Sequence, residues 1–254
     1  MKCKICNQNN QSIFSGNILN KHSIEYYHCS NCGFLQTEEP YWMEEAYDES
    51  INISDTGIIS RNLGLSQIST IIINIYFNKN GFFLDFAGGY GVFTRLMRDI
   101  GFNFYWNDKF SPNLVARGFE YKEEHNIELL TTFESFEHFD QPIKEVENML
   151  QVSKNILFST ELFTNEPPLP EEWGYYGLGH GQHISFYTIQ TLEYIASKYG
   201  LNLYSDGEYV HLLTEKKINN FLFKVLIKLN RFGLFYIVKR LNTSRTMQDW
   251  ELLK

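Results

Sequence analysis

Four cysteines near the amino terminus have the spacing of metal ligands. They form two Cys-x-x-Cys pairs, Cys3 with Cys6 and Cys29 with Cys32, and 22 residues separate the pairs. Two thiolates three positions apart can bind one ion from a single tight turn, and two such pairs complete a tetrahedral shell. Because four thiolates leave no open coordination position, the pattern predicts a structural zinc ion. Free thiols and disulfides are the alternatives, and a cytosolic location disfavours disulfides.

A glycine-rich turn follows a short apolar run over 82–86, which is typical of a strand buried on both faces. The turn reads Asp85-Phe86-Ala87-Gly88-Gly89-Tyr90-Gly91. Glycines at a helix start let the backbone approach a ligand and direct amide donors at it. Asp108 lies 17 residues beyond Gly91, where a carboxylate can accept from both ribose hydroxyls of a nucleoside. The sequence therefore predicts a nucleoside site, and a dinucleotide-dependent dehydrogenase is an alternative at this point.

Residues that could bind and activate an acceptor lie in the segment 161–183. Three aromatic side chains there could stack on a sugar ring: Trp173, Tyr175 and Tyr176. His180 and His183 could each take a proton near neutral pH, and His180, between two glycines, is the preferred base. His183 suits a packed structural role equally well. Glu137 and His138 could orient a substrate or hold a metal, although a helix-start pair that satisfies backbone donors is the simpler interpretation.

The elements that must position these residues alternate between strand and helix. We expect strands over 82–86, 104–106, 127–133 and 155–159. Predicted helices follow the glycine turn up to Gly101, cover about 141–152, and begin near Thr188. This alternation predicts a doubly wound α/β domain with a parallel sheet between two layers of helices.

The chain divides into three predicted regions: a cysteine module over 1–40, an α/β domain over 41–214 and a helical tail over 215–254. The first region has no long periodic segment, so we expect metal to hold it, and loss of zinc to unfold it without directly removing the chemistry. The tail carries nine basic and three acidic residues among apolar ones. It could lie on an anionic membrane surface, but packing against its own domain or a second subunit is favoured.

The composition is that of a soluble folded protein. Of the 254 residues, 43% are hydrophobic, 16% aromatic and 20% charged, which excludes disordered, collagenous and coiled-coil chains. There is no uncharged apolar run of 18 residues and no apolar stretch at the amino terminus, so we expect a cytoplasmic protein. The net charge is −8, and −14 over 1–214, so no nucleic-acid partner is expected.

The glycine turn resembles the first motif of the class I S-adenosylmethionine-dependent methyltransferases, whose usual form is Asp-x-Gly-x-Gly-x-Gly. Ala87 stands where that motif has its first glycine. Four later segments are also similar to motifs of this family: Trp106–Leu114, Thr132–Phe139, Ile156–Thr160 and Gln182–Tyr187. The resemblance covers about 60–214 and implies a Rossmann-like methyltransferase domain that binds S-adenosylmethionine.

The resemblance also implies which residues contact the cofactor. They are Asp85, Ala87, Gly88, Gly89, Gly91, Asp108, Glu120, Phe133, Glu134 and Arg61. Glu120 is the candidate acid near the adenine, because the third strand must fit into 116–121. Arg61 could pair with the cofactor carboxylate or be a solvated charge. The candidates for acceptor chemistry are His180, His183, Glu137 and His138.

A zinc region followed by this domain resembles bacterial methyltransferases of sugar and surface-polysaccharide biosynthesis. That likeness implies a small acceptor, a nucleotide-linked or lipid-linked sugar, methylated on a hydroxyl or a carbon. One alternative is an RNA base methyltransferase that grips RNA through its zinc ribbon, which the acidic body disfavours. A non-catalytic scaffold that binds the cofactor without turnover is another, and Ala87 is its only indication.

Overall fold

A computed structural model describes residues 1–47, 52–53, 55–164 and 166–254, which form ten strands and eight helices. The strands are β1 (Gln11–Ile18), β2 (His22–His28), β3 (Leu35–Thr37), β4 (Phe82–Phe86), β5 (Asn103–Asn107), β6 (Ile127–Thr132), β7 (Ile156–Ser159), β8 (Ser185–Phe186), β9 (Asn202–Ser205) and β10 (Val210–Thr214). The helices are α1 (Met43–Ala46), α2 (Ile58–Tyr76), α3 (Val92–Ile100), α4 (Pro142–Val152), α5 (Ile189–Lys198), α6 (Asn220–Asn230), α7 (Leu234–Val238) and α8 (Thr246–Leu253).

Six strands form a central sheet in the order β5-β4-β6-β7-β10-β9. The strands β4 to β7 are parallel, and β10 is antiparallel to both neighbours. Alternate side chains along each strand pack on opposite faces. Leu84 and Leu130 pack with α4 and α5, whereas Phe83 and Leu129 pack with α2 and α3. Because helices cover both faces, the expected doubly wound α/β fold is confirmed.

The predicted elements of this domain are present with small shifts at their ends. β4 covers 82–86 as expected, and β6 ends one residue earlier than predicted. Helix α3 ends at Gly101, which has φ of 130° and whose amide donates to the Met97 carbonyl. Helix α5 begins after Thr188, whose side chain accepts a hydrogen bond from the Thr191 amide.

The amino-terminal region shares a second sheet with the α/β domain. Its order is β1-β2-β3-β8, and all of its pairs are antiparallel. Side chains from both regions pack in one apolar cluster that includes Ile24, Tyr26, Leu35, Trp42, Tyr176 and Phe186. The first 40 residues therefore have a core and a shared sheet, whereas metal alone was expected to hold them. The pairing of β3 with β8 joins strands of three and two residues that are far apart in the chain, so no local pattern predicts it.

The carboxyl-terminal segment packs against its own domain. Phe223 and Leu226 of α6 and Phe235 and Val238 of α7 are buried in the cluster that contains α2. Other apolar side chains of this segment are exposed: Phe221, Phe232, Tyr236, Ile237 and Leu241. Contact of these exposed side chains with a membrane surface or with a second subunit stays a prediction. No helix within the described ranges combines the length and the hydropathy needed to cross a bilayer.

A buried ion pair attaches α8 to α3. Arg98 donates through Nε and Nη2 to the two carboxylate oxygens of Asp249, at 2.8 and 2.6 Å. Only 1% of the Arg98 side chain and 3% of the Asp249 side chain are exposed. Arg95 also donates to Asp249, at 2.7 Å, and the Arg98 guanidinium lies 3.5 Å from the centre of the Phe119 ring. Helix α8 therefore supports the helix that begins at the glycine turn.

We predict that Asp249→Ala lowers the free energy of unfolding by about 3–5 kcal/mol, because it leaves the Arg98 charge buried without its partner. Denaturant unfolding followed by circular dichroism measures this. Glu251→Ala changes an exposed carboxylate of the same helix and is the matched control. Equal stability of the two variants would contradict the assigned role.

Candidate active site

The glycine turn lies at the carboxyl ends of the parallel strands, beside the point where the strand order reverses. β4 has β5 on one side and β6 on the other, which opens a crevice outside their carboxyl ends. Ala87 has φ of 56°, a left-handed conformation that costs a non-glycine residue roughly 1–2 kcal/mol. Glycine adopts this conformation without that cost, which explains why the motif that this turn resembles has glycine at the position of Ala87. The backbone of the turn nevertheless keeps the conformation that a glycine would adopt.

Two glycines of the turn are fixed by close neighbours. A Cβ atom on Gly88 would lie 2.6 Å from Asp85 Oδ2, and one on Gly91 would lie 2.8 Å from Asn113 Oδ1. Gly89 differs, because a Cβ there would have no neighbour within 4 Å among the described residues. The turn is thus packed behind Gly88 and Gly91 and open in front of Gly89.

Asp85 lies behind the turn. Only 2% of its surface is exposed, and its Oδ2 accepts from Thr94 Oγ1 at 2.8 Å. Burial raises the pKa of this carboxyl from 3.8 to about 7, although the Thr94 hydrogen bond opposes the shift. Asp85 therefore supports the first turn of α3 and does not face the crevice.

Asp108 lies at the end of β5, as the sequence predicts, and its carboxylate holds the glycine turn. Its Oδ2 accepts from the Gly89 amide at 2.9 Å. Its Oδ1 accepts from the amides of Phe110 and Ser111, both at 2.7 Å. Trp106 donates from Nε1 to the Gly89 carbonyl at 2.9 Å. The two strand ends are therefore joined at Gly89.

Glu120 marks what remains of the third strand. It forms an isolated parallel bridge with Trp106, so the segment 116–121 contributes no strand to the sheet. Its carboxylate accepts from Asn113 Nδ2 at 2.8 Å and from the Gly118 amide at 3.0 Å. Glu120 therefore folds its own loop and is exposed.

Glu134 and Arg61 belong to one polar network. Glu134, with φ of 52°, accepts through Oε1 from Ser159 Oγ at 2.8 Å and from Tyr209 OH at 2.5 Å. Arg61 Nε lies 3.2 Å from Glu134 Oε2, and its Nη2 donates to Asp55 Oδ2 at 2.6 Å. Arg61 is thus paired within the protein. Neither Ser159 nor Tyr209 was singled out from the sequence.

Phe133, the residue before Glu134, packs against Phe93 of α3. Their ring centres are 4.9 Å apart in an edge-to-face arrangement. Phe133 is half-buried, so one part of its ring supports the core while the other stays accessible.

Three of the residues predicted for acceptor chemistry meet in one cluster. Glu137, His138 and His183 each place one possible ligand atom within 4.8 Å of the other two. Glu137 and His138 lie in a short 3-10 turn over Phe136–His138, after β6, and His183 precedes β8. The Ile184 amide donates to the Glu137 carbonyl at 2.8 Å and fixes the two segments together. We call these three residues the acid–imidazole cluster.

Hydrogen bonds to the backbone determine the tautomers of His183 and His180. His183 Nδ1 lies 2.5 Å from the Tyr175 carbonyl oxygen, which can only accept, so this ring carries hydrogen on Nδ1 and a lone pair on Nε2. His138 Nδ1 lies 3.1 Å from the Gln182 carbonyl oxygen and 2.8 Å from the Tyr47 hydroxyl, so it can donate to the first or accept from the second. His180 is the reverse, because its Nδ1 accepts from the Gln182 amide at 3.1 Å.

Burial dominates the electrostatics of the acid–imidazole cluster. It lowers the pKa of His138 to about 4 and that of His183 well below its usual 6.5, so both rings are neutral at pH 7. Burial, and then the nearby Glu134, raise the pKa of Glu137 well above 4.5. Glu137 is fully buried, and neither of its carboxylate oxygens has a hydrogen-bond partner among the described residues.

The aromatic residues of the segment 161–183 divide into two groups. Tyr176 is fully buried and packs at 5.2 Å against Tyr26, so it cannot stack on an acceptor as expected. Trp173 and Tyr175 have ring centres 5.1 Å apart, and the Tyr175 ring lies 4.8 Å from that of His183. Trp173 Nε1 donates to Glu161 at 2.6 Å. Trp173 and Tyr175 are therefore the aromatic candidates beside the cluster.

Tyr47 contacts the other side of the acid–imidazole cluster. Its hydroxyl lies 2.8 Å from His138 Nδ1, and burial raises its pKa. Nothing local in the sequence indicates that Tyr47 lies beside a residue of the distant 3-10 turn.

The four cysteines come together as predicted. Sγ of Cys3 lies 3.6 Å from that of Cys32, Sγ of Cys6 lies 3.4 Å from that of Cys29, and all four lie within 4.8 Å of one another. Sulfur ligands about 2.3 Å from zinc are separated by about 3.8 Å in a tetrahedron. The four sulfurs therefore fit a zinc ion, and none of them forms a disulfide.

The two cysteine turns have the same local geometry. Asn7 and Gly33, which follow the second cysteine of each pair, have φ of 61° and 73°. Their amides donate to the carbonyls of Cys3 and Cys29, at 3.0 and 2.8 Å. Thr191 of α5 donates to the Cys32 carbonyl at 2.8 Å. The cysteine cluster is therefore attached to the α/β domain.

Comparison with known proteins gives one family and a set of similar folds. Residues 66–206, more than half of the chain, match the profile of a family described as a methyltransferase domain. No curated protein matches the sequence.

Several solved structures are similar at low identity. OxaC, in complex with sinefungin and meleagrin, is 18% identical over 55% of this chain and 44% of its own, with a TM-score of 0.42. The magnesium protoporphyrin IX methyltransferase of Synechocystis PCC 6803, with bound SAH, is 11% identical over 68% of this chain and 92% of its own, with a TM-score of 0.45. Human N-acetylserotonin methyltransferase, in complex with SAM, is 12% identical over 69% of this chain and 66% of its own, with a TM-score of 0.43. The chain spans less than half the length of OxaC.

We predict that Asp85 makes stability depend on pH. Its folded pKa of about 7 exceeds 3.8, so the folded state binds the proton more tightly, and stability decreases as pH rises from about 4 to about 7. Asp85→Asn removes this titration. The free energy of unfolding of the variant, compared with that of the wild type, should therefore be higher at pH 8 than at pH 5. Urea unfolding at both values measures the difference.

The control for this measurement is Asp99→Asn, which changes a carboxylate of α3 whose side chain is 43% exposed. That variant should keep the pH dependence of the wild type. If Asp85→Asn kept it as well, Asp85 would not be the group responsible.

Proposed function

Because the chain belongs to the family of methyltransferase domains, we propose that it transfers the methyl group of S-adenosylmethionine to a hydroxyl or a carbon of a small acceptor. Family membership confirms the class of enzyme expected from the sequence. The cofactor would supply an electrophilic methyl group on a sulfonium sulfur. The protein must bind it, align it with the acceptor and exclude water.

The joining of the glycine turn to Asp108 carries this proposal. The Gly89 amide and the Asp108 carboxylate meet at 2.9 Å at the carboxyl ends of β4 and β5, with open space in front of Gly89. This is where a nucleoside binds in doubly wound sheets. We assign Gly88, Gly89, Gly91 and Asp108 to direct contact with the cofactor. Asp85 and Glu120 would act by shaping the loops on either side.

The polar network of Glu134 forms the next part of the proposed cofactor site. Glu134 follows β6 directly, and Phe133 beside it is half-buried. Arg61 would bind the cofactor carboxylate only by giving up part of its pairing with Asp55 and Glu134. We therefore propose that Arg61 fixes Glu134 in place.

We propose that the acid–imidazole cluster contacts the acceptor and prepares its nucleophilic atom. The Nε2 lone pair of His183, with His138 beside it, is suited to this task, whereas the Nδ1 lone pair of His180 is engaged by a backbone amide. His180 would instead donate from Nε2 to the acceptor, which reverses the order expected from the sequence.

We further propose a nucleotide-linked or lipid-linked sugar as the acceptor. The likeness to bacterial sugar methyltransferases stated above supports it, and the rings of Trp173 and Tyr175 beside His183 suit a sugar face. A cytoplasmic location agrees with the four free thiols, since reducing compartments preserve them. It also agrees with the supply of nucleotide-linked sugars.

The cysteine cluster would bind zinc as a structural ion. Its four sulfurs complete the coordination shell, so no position remains for a water or an acceptor. Through Thr191 and the pairing of β3 with β8, the ion would stabilise the segment that carries His183. Removal of zinc would therefore also disturb the acceptor site, whereas the sequence suggested that it would spare the chemistry.

We predict that the purified protein binds S-adenosylmethionine and not NAD in calorimetry. Asp108→Asn should weaken this binding about 10- to 100-fold, because charge-assisted hydrogen bonds contribute about 1.5–3 kcal/mol. Asp99→Asn, at the end of α3 away from the glycine turn, should bind S-adenosylmethionine as the wild type does. The absence of measurable affinity for S-adenosylmethionine or its demethylated product would refute the proposed function.

We also predict one zinc ion per chain by atomic emission. Cys29→Ser should lose the zinc and lower the unfolding temperature, because one open position destroys the tetrahedral site. His22→Ala should keep the zinc, since His22 lies against Glu45 and outside the cysteine cluster. A zinc-free wild type with unchanged stability would show that the cysteines serve another purpose.

A further inference from the structure

The acid–imidazole cluster has the composition of a second metal site, distinct from the cysteines. Two imidazoles and one carboxylate offer one ligand atom each, all within 4.8 Å of one another. Nitrogen and oxygen ligands about 2.0–2.2 Å from a cation lie roughly 3–4 Å apart. Small side-chain rotations would therefore bring the three atoms onto one ion.

The histidines are oriented as metal ligands are. A ligating histidine generally donates its other ring N–H to a carbonyl or a carboxylate, which fixes the ring and the tautomer. His183 donates from Nδ1 to the Tyr175 carbonyl. With a cation on its Nε2, His138 would likewise donate from Nδ1, to the Gln182 carbonyl at 3.1 Å or to the Tyr47 hydroxyl oxygen at 2.8 Å. This leaves Nε2 of each ring as the nitrogen with a lone pair. His180, only three residues before His183, has the opposite tautomer and does not belong to the set.

Glu137 supplies an independent observation. Its side chain is fully buried, and neither carboxylate oxygen has a partner in hydrogen-bond geometry among the described residues. The Tyr175 side chain is near enough to lower the pKa of Glu137, but burial outweighs it and raises this pKa. Burying a polar group without a partner costs free energy of folding. Such groups are rare in native structures, and a bound ion or a catalytic role often accounts for them. A cation held by Glu137 and the two imidazoles would remove this cost. The Arg61 charge lowers the pKa of Glu137, but its ion pairs are with Asp55 and Glu134, and burial still raises the pKa of Glu137 well above 4.5.

We propose that Glu137, His138 and His183 bind a divalent cation that ligates a hydroxyl oxygen of the acceptor. Two nitrogens and one oxygen suit a divalent cation such as Mn²⁺, Fe²⁺, Co²⁺ or Zn²⁺, and three protein ligands leave coordination positions open. A hydroxyl bound to the cation loses its proton more easily and becomes a better nucleophile. The proton passes to solvent, because the Nε2 lone pairs then bind the cation and act on the acceptor only through it. The role of this cation in catalysis rests on the proposed methyl transfer. Because the cation would ligate a hydroxyl oxygen, this inference favours a hydroxyl over a carbon as the methylated group.

The test is a titration with Mn²⁺ of protein that atomic emission shows to hold one zinc ion per chain, so that the cysteine cluster is filled and the acid–imidazole cluster is free. Electron paramagnetic resonance follows the free Mn²⁺. Mn²⁺ prefers oxygen and nitrogen to thiolate ligands, so the cysteine cluster does not interfere. We expect one Mn²⁺ per chain in the wild type. Glu137→Gln and His183→Ala should each weaken this binding at least tenfold. Glu147→Gln and His22→Ala change an exposed glutamate and a histidine outside the cluster, and both should bind as the wild type does.

The outcomes separate this proposal from the methyltransferase function. Calorimetry with S-adenosylmethionine on the same samples shows whether each variant is folded and whether the cofactor binds. Cofactor binding without Mn²⁺ binding, or equal Mn²⁺ affinity in the wild type and both cluster variants, overturns the cation site alone. Mn²⁺ binding without cofactor binding refutes the methyltransferase and leaves the cation site standing. After turnover with nucleotide sugars, a product methylated on carbon would overturn the role of the cation at a hydroxyl.

Discussion

The backbone hydrogen bond from the Ile184 amide to the Glu137 carbonyl joins the two segments that carry the acid–imidazole cluster. One segment follows β6 of the central sheet, and the other enters β8 of the amino-terminal sheet. The position of His183 is therefore set by both sheets, and so by the cysteine turns that support β3. The proposed cofactor site lies on the central sheet, since β4 and β5 carry the glycine turn and Asp108.

Much of the α/β domain could be predicted because its patterns are local. The apolar run of β4, the glycines after it and the stop at Gly101 each involve a few neighbouring residues, and the structure keeps them. The cysteine spacing is equally local, and it brings the four sulfurs together. The sheet formed by β1, β2, β3 and β8 could not be predicted, because long-range pairing leaves little periodic signal in short strands.

Side-chain roles were harder to predict than elements. Residue type showed that His180 and His183 can take a proton, but the backbone group that each Nδ1 meets determines which nitrogen carries the lone pair. Arg61 was expected at the cofactor, and Tyr176 at the acceptor. The structure pairs the first with Asp55 and buries the second among aromatic rings. Such partners come from distant or irregular segments, where spacing carries no information.

The pairing of Arg98 with Asp249 has a consequence for biosynthesis. During translation α3 emerges from the ribosome long before α8, so the guanidinium of Arg98 has no counter-charge while the earlier part of the chain collapses. An uncompensated buried charge disfavours the compact state, and incompletely folded chains expose apolar surface to chaperones. The nascent protein would thus complete the half that carries the proposed cofactor site only late in synthesis. If that half binds S-adenosylmethionine as proposed, the encounter is delayed until most of the polypeptide has been made.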